Sequence, residues 1–203
     1  MMKLKTLRGK WYTSLIPVTN NAFDCGFCGS HAGPSHGFRC TYEDRGKDIV
    51  AALILLCPRC NKPTFMNFSE DEQTPGVLVG DSLNHLPQDI EQLYEEARKC
   101  ISFSANTSAV LSCRKLLMNV SVAKGAVAGK SFAFYVNFLE DNHYIPPGSK
   151  DWVDHIRQKG NEATHEIPSI SQEDAVELMG FTEMLLRFVY ELPGKMLKYQ
   201  KQK

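Results

Sequence analysis

Two pairs of cysteines carry the clearest chemical signal in the sequence. Cys25 and Cys28 form the first pair, Cys57 and Cys60 form the second, and two residues separate the thiols within each pair. Four thiolates presented by two such turns suit tetrahedral zinc, which binds sulfur at about 2.3 Å. Four cysteines fill the coordination sphere and leave no position for water, so the pattern predicts a structural Zn²⁺.

Three further residues between the pairs offer alternative ligands, namely His31, His36 and Cys40. Their irregular spacing favours a role as surface-loop residues. The chain holds seven cysteines in all. An odd number with two close pairs fits one metal site plus spare thiols better than a set of disulfides.

A second polar group lies in a segment with helical periodicity near residues 151–166. Arg157, Asn161 and His165 recur every four residues, so a helix would place them on one face. A guanidinium, an amide and an imidazole can hold a phosphate while the imidazole moves a proton, as metal-independent RNA cleavage requires. The alternative is a solvated face or a buried hydrogen-bonding network, and Gly160 within the segment weakens a helix there.

The elements around the cysteines predict a small β-rich zinc-ribbon domain over residues 1–80. Residues 49–56 are typical of a strand that leads into the second cysteine turn, and residues 64–68 are expected to pair back as a hairpin. Gly29 and Asn61 follow the two pairs, and both tolerate a positive φ. Because this core is small, a bound metal is expected to supply much of its folding free energy.

After an acidic, turn-rich stretch, apolar residues recur at helical spacing and predict an all-α bundle over residues 87–195. Ser171 begins a capping-box pattern, and Pro193 is expected to end the last helix. Five helices are predicted: 87–101, Asn106 or Thr107 to near Gly125, 131–142, 151–166 and 171–193. The predicted class is therefore α+β, with residues 196–203 as a basic tail.

Charge and hydropathy limit the possible functions. Lys plus Arg and Asp plus Glu both number 23, so the net charge is zero and the overall field does not favour nucleic acid or a membrane surface. The longest apolar run, residues 49–56, is too short to span a bilayer. The amino terminus shows no apolar segment typical of a secretory signal, so we expect a cytoplasmic protein.

Several segments of the helical part resemble domain-of-unknown-function family 4145. They are residues 108–117, residues 152–157, the Gly160-Asn161-x-x-x-His165 piece and residues 189–193. That family is similar to the HEPN superfamily (higher eukaryotes and prokaryotes nucleotide-binding). The resemblance covers roughly residues 87–195, and an amino-terminal zinc ribbon is an arrangement that the family uses.

The resemblance implies an all-helical bundle, often dimeric, in prokaryotic and phage proteins that include restriction and other defence systems. Catalytic HEPN domains carry an Arg, a polar residue, spacers and a His, and two such motifs meet across a dimer as a metal-free ribonuclease site. Asn161 and His165 match the polar and His positions, whereas Gly160 stands where the motif has its Arg. The nearest arginine, Arg157, lies one turn earlier.

These observations predict a zinc-binding, HEPN-like module that binds nucleic acid, a nucleotide or a partner protein in a prokaryotic or phage defence context. One alternative is a metal-independent endoribonuclease that uses Arg157, Asn161 and His165 at a dimer interface. A second alternative is a prophage accessory protein whose partner is another protein. In each case we expect a homodimer through the helical domain and no membrane association.

Overall fold

The computed structural model describes residues 10–11, 14–18, 21–34, 36–145, 158 and 170–201. It divides into two compact units, Met1–Leu78 and Val79–Lys203. The first is built from strands and the second from helices, which confirms the predicted α+β class. Within the described ranges, no helix combines the length and the apolar character that crossing a bilayer requires.

The first unit contains two antiparallel sheets. The strands are β1 Lys10–Trp11, β2 Ile16–Pro17, β3 Phe23–Asp24, β4 His31–Ala32, β5 His36–Asp44, β6 Lys47–Leu56, β7 Pro63–Asn67 and β8 Glu72–Thr74. In the larger sheet they follow the order β1-β5-β6-β7-β8, with β2 also paired to β5, while β3 and β4 pair with each other in the second sheet. The β6–β7 pairing confirms the predicted hairpin that flanks the second cysteine turn.

The residues of β6 divide between two apolar clusters, and the adjacent Ala51 and Ala52 share the smaller one beside a register shift in the β5–β6 pairing. Leu53 and Leu55 pack with Val18 and with two of the paired cysteines. Ala52 packs on a separate, smaller cluster with Cys40. Neither cluster is large, so the strands alone bury little apolar surface.

The second unit surrounds one apolar core, in which Tyr94, Leu117 and Leu178 are fully buried. The helix predicted over residues 171–193 begins as expected, since the Ser171 hydroxyl accepts a hydrogen bond from the Asp174 backbone N–H at 3.0 Å. The helices are α1 Gln88–Ser102, α2 Asn106–Ala123, α3 Phe132–Asp141, α4 Gln172–Leu186, a π turn at Arg187–Glu191 and α5 Leu192–Lys201.

Two predicted helix boundaries are wrong. Helix α2 has Ala105 at its N-cap, and the Asn106 amide donates instead to the Ile170 carbonyl at 3.3 Å. The helix predicted to end at Pro193 instead continues past it, through the π turn and into α5. The π turn lets the Leu192 N–H reach the Arg187 carbonyl five residues back. This wider turn accommodates a proline ring that would break a regular α-helix.

Two buried charged side chains connect residues 79–84 to the helices through hydrogen bonds. The Arg98 guanidinium donates to the carbonyls of Val79 and Gly80 at 2.9 and 2.6 Å. The Glu191 carboxylate accepts two hydrogen bonds from Asn84, both at 3.3 Å. The sequence pattern gave no sign of this network, because its partners are distant along the chain.

Candidate metal centre

The structure brings the four paired cysteines into one cluster in the first unit. Their sulfur atoms all lie within 4.8 Å of one another. The Sγ atoms of Cys25 and Cys60 are 3.7 Å apart, and those of Cys28 and Cys57 are 3.8 Å apart. A tetrahedron with Zn–S bonds of about 2.3 Å has an edge of about 3.8 Å, whereas a disulfide bond measures about 2.05 Å. The donor set therefore fits a tetrahedral metal ion.

Both cysteine turns use the same backbone hydrogen bonds. The N–H groups of Gly29 and Asn61 each donate to the carbonyl of the first cysteine in their own turn, at 2.8 Å in both cases. The two residues have φ angles of 68° and 56°, as their types predicted. Left-handed backbone at this position folds each turn around its pair of sulfurs.

Contacts between the C-x-x-C turns and residues outside them support the cluster. The sequence did not reveal these contacts. Arg59 donates to the Ser30 hydroxyl at 2.9 Å, which joins the second cysteine turn to the residues after the first. A Cβ atom on Gly26 would lie 2.3 Å from the Gly76 carbonyl oxygen. The chain therefore approaches the first turn so closely that only glycine fits there.

The thiols differ in their acidity. Burial raises the pKa of Cys25 to about 12. Burial also opposes ionisation of Cys28, but hydrogen bonds with Ser30 outweigh it and lower the pKa of that thiol to about 6. Burial raises the pKa of Cys60. A divalent cation favours the thiolate form of any cysteine that coordinates it.

The three alternative ligands lie outside this cluster. The exposed His31 ring contacts the Asp24 carboxylate, with 2.9 Å between Nδ1 and Oδ1. Cys40 is buried in the separate cluster beside Ala52. His36 begins β5, and the group of sulfurs that can share a metal does not include it.

Arg157, Asn161 and His165 lie outside the described residues, as do Gly160 and the rest of the predicted fourth helix except Gln158. The proposed phosphate-binding face therefore stays a prediction.

A cleft of about 440 Å³ opens elsewhere in the first unit. Val18 and Leu53 contribute apolar walls, while Asn21 and Arg39 contribute an amide and a guanidinium. Phe68 also lines the cleft and is 48% exposed. Arg39 pairs with Leu53 across β5 and β6, so the sheet register places the guanidinium beside the apolar wall. Sequence reasoning missed this grouping because it depends on register.

Comparison with known proteins places the helical unit in a family. A model of the family described as "Domain of unknown function (DUF4145)" matches residues 95–202, more than half of the chain. No curated protein and no solved structure matches the chain.

Proposed function

The chain belongs to the family described as Domain of unknown function (DUF4145), and we propose that it is a zinc-stabilised module that binds single-stranded RNA. The observation that carries the proposal is the cleft in the first unit. Arg39, Asn21 and Phe68 line the same cavity, and their side chains carry a guanidinium, an amide and an aromatic ring. These groups serve base and phosphate recognition in single-stranded nucleic acids.

Zn²⁺ bound by Cys25, Cys28, Cys57 and Cys60 would act as a staple for this unit. The sulfur separations of 3.7 and 3.8 Å and the matched turns support a tetrathiolate site. Such a site stabilises the fold and holds the ribbon core on which the cleft is built. Four protein ligands leave no coordination position for a substrate.

The cleft has room for one nucleotide unit. A base stacks on the Phe68 ring, and Arg39 pairs with the adjacent phosphate. Because the net charge of the chain is zero, affinity comes from this local site and not from the overall field. We therefore expect modest affinity and a shallow dependence on salt.

Fluorescence anisotropy of a labelled single-stranded oligoribonucleotide tests RNA binding. Phe68→Ala is expected to weaken binding roughly tenfold, the loss of one stacked base. Arg39→Gln is expected to weaken it and to reduce the slope of log K against log salt by about 0.7. Arg45→Gln changes an exposed arginine of the β5–β6 turn and is the charge-matched control. Equal losses from Arg39→Gln and Arg45→Gln, or no binding by the wild type, would refute the proposal.

Metal analysis tests the staple separately. We expect about one zinc per chain, and Co²⁺ substitution should give the visible spectrum of a tetrahedral thiolate site. Cys57→Ser should abolish both, while Cys100→Ser, in the helical unit, should leave both unchanged. If the folded wild-type protein took up no metal when Zn²⁺ was supplied, the proposed zinc site would be wrong.

The HEPN-like character of the helical unit and a defence setting belong to the same proposal, and the resemblance to that superfamily supports them. Binding to a protein partner in place of RNA would agree instead with a prophage accessory role. The ribonuclease alternative depends on Arg157, Asn161 and His165.

A further inference from the structure

The four sulfur atoms of the candidate metal centre divide into two pairs that cross between the turns. Cys28 lies 3.8 Å from Cys57, and Cys60 lies 3.7 Å from Cys25, measured between Sγ atoms. Each pair combines a fully buried thiol, on Cys57 or Cys25, with a half-buried thiol, on Cys28 or Cys60. A small dissolved reagent can therefore reach one sulfur of each pair, and a buried sulfur lies next to the one that it reaches.

A serine and an arginine lie beside Cys28. The Ser30 hydroxyl is 3.4 Å from the Cys28 sulfur, and the Arg59 guanidinium donates to the same hydroxyl oxygen at 2.9 Å. Because Arg59 occupies a lone pair of that oxygen, the hydroxyl hydrogen is available to the Cys28 thiolate. The guanidinium also places a positive charge near the sulfur, where it can stabilise negative charge on a leaving oxygen.

These groups suit a reaction of Cys28 with a hydroperoxide. The Cys28 thiolate attacks the outer peroxide oxygen, the O–O bond breaks, and an alkoxide or hydroxide leaves and takes up a proton. The Cys57 thiolate then attacks the Cys28 sulfenic acid, which forms the S–S bond and releases a hydroxide that takes up a second proton. Together, two thiolates lose two electrons, and the peroxide is reduced to an alcohol or water plus one further water molecule.

This disulfide would disrupt the metal site and the cleft beside it. It brings two sulfurs from 3.8 Å to about 2.05 Å and leaves two thiolates, too few to fill a tetrahedral shell. The apolar cluster that packs on the cysteines includes Val18 and Leu53, and the same two residues line the cleft at Arg39. A change at the sulfurs therefore reaches the cleft through one packed cluster.

We propose that the cysteine cluster is a peroxide-sensitive switch, in which a hydroperoxide oxidises Cys28, Cys57 closes the disulfide, Zn²⁺ is released and the cleft loses its affinity for RNA. Thiol reductants and Zn²⁺ restore the binding form, because thiol exchange reverses a disulfide. This switch rests on the zinc site and on the RNA binding proposed above. Oxidation and metal release are measured without RNA, so the switch and the RNA binding are tested separately.

Metal release from the zinc-loaded full chain tests the reaction with peroxide. Hydrogen peroxide should release about one zinc per chain to a chromogenic chelator, and mass spectrometry of peptides should find Cys28 linked to Cys57. Arg59→Gln keeps all four ligands and should slow the release at least roughly tenfold, the effect of one lost charged hydrogen bond. Arg45→Gln changes an exposed arginine at the far end of β6 from Cys57 and should release zinc at the wild-type rate.

Fluorescence anisotropy with single-stranded RNA tests the effect on the cleft. Oxidation should weaken binding at least roughly tenfold, the loss of one stacked base, and dithiothreitol with Zn²⁺ should restore it. Cys100→Ser removes a half-buried thiol of the helical unit and should leave this response unchanged.

Three results would overturn the inference. They are zinc release from Arg59→Gln at the wild-type rate, a first disulfide between Cys25 and Cys28 within one turn, and oxidised protein that binds RNA as tightly as reduced protein. A reduced, zinc-loaded protein that binds no RNA would instead refute the proposed function, and the release and linkage measurements would still decide whether Cys28 reacts with peroxide.

Discussion

Replacing Arg98 with methionine is expected to destabilise the helical unit strongly. The Arg98 side chain is 5% exposed and donates to the Val79 carbonyl at 2.9 Å, to the Gly80 carbonyl at 2.6 Å and to Glu95 at 2.7 Å. Methionine fills a similar volume but supplies no donor, so two backbone carbonyls lose their charged partner. A hydrogen bond to a charged group contributes about 1.5–3 kcal/mol, which predicts a net loss of about 3 kcal/mol after the gain from an apolar side chain.

The loss should be visible in the melting temperature. The unit Val79–Lys203 has an unfolding entropy of about 0.26 kcal/mol/K, so 3 kcal/mol corresponds to a decrease in Tm of about 11 °C. Thermal and urea unfolding followed by circular dichroism at the helical band would measure it. Lys99→Met, which changes the neighbouring exposed cation, is the control and should shift Tm by less than about 2 °C. If Arg98→Met lowered Tm as little as Lys99→Met does, the hydrogen bonds from Arg98 to residues 79 and 80 would not stabilise the unit as proposed.

Three further predictions concern pH, the cysteine turns and RNA cleavage. Burial pushes the pKa of Glu191 upward, but hydrogen bonds from Asn84 and Lys195 outweigh it and hold that pKa below its ordinary value. The ionised Glu191 therefore stabilises the fold above the pKa that this residue has in the unfolded chain, and this stabilisation is lost as the pH falls through its lower pKa in the folded chain. The Tm difference between wild type and Glu191→Gln should therefore narrow on acidification. A Tm difference that stays constant with pH would contradict this prediction. Gly29→Ala should destabilise the first unit by about 1 kcal/mol, because the φ angle of Gly29 is 68°. Gly33→Ala, which has open space around the new Cβ atom, is the control and should leave the stability unchanged. Equal Tm values for the two variants would contradict the assignment of backbone strain to position 29. Wild type and His165→Ala should both leave RNA intact in EDTA on a denaturing gel, and cleavage that is lost only in the variant would establish the ribonuclease instead.

Features encoded by nearby residues were predictable from the sequence. Each C-x-x-C turn is local, and the chemistry of four thiolates indicated a shared site before any fold was known. Ser171 likewise caps its helix through a residue only three positions away. The β6–β7 hairpin followed from a continuous apolar run and a short connection.

Features that depend on distant residues were not predictable. Pro193 indicated a helix end, but the preceding π turn accommodates it, and no local pattern signals that turn. No local pattern marks Arg98 and Glu191 as buried, and only the packing of residues 79–84 shows it. The cleft at Arg39 and Phe68 needs the register of three strands.

The division of the sulfur ligands between two separate turns has a consequence for biosynthesis. Neither turn offers more than two thiolates, so a nascent chain that has exposed only Cys25 and Cys28 holds half of a coordination shell. Translation must pass Cys60 before a complete shell can form, and the helical unit has not yet been synthesised at that point. With the proposed zinc site, the metal content of the cell during synthesis would decide whether the first unit is already folded when the helices emerge from the ribosome.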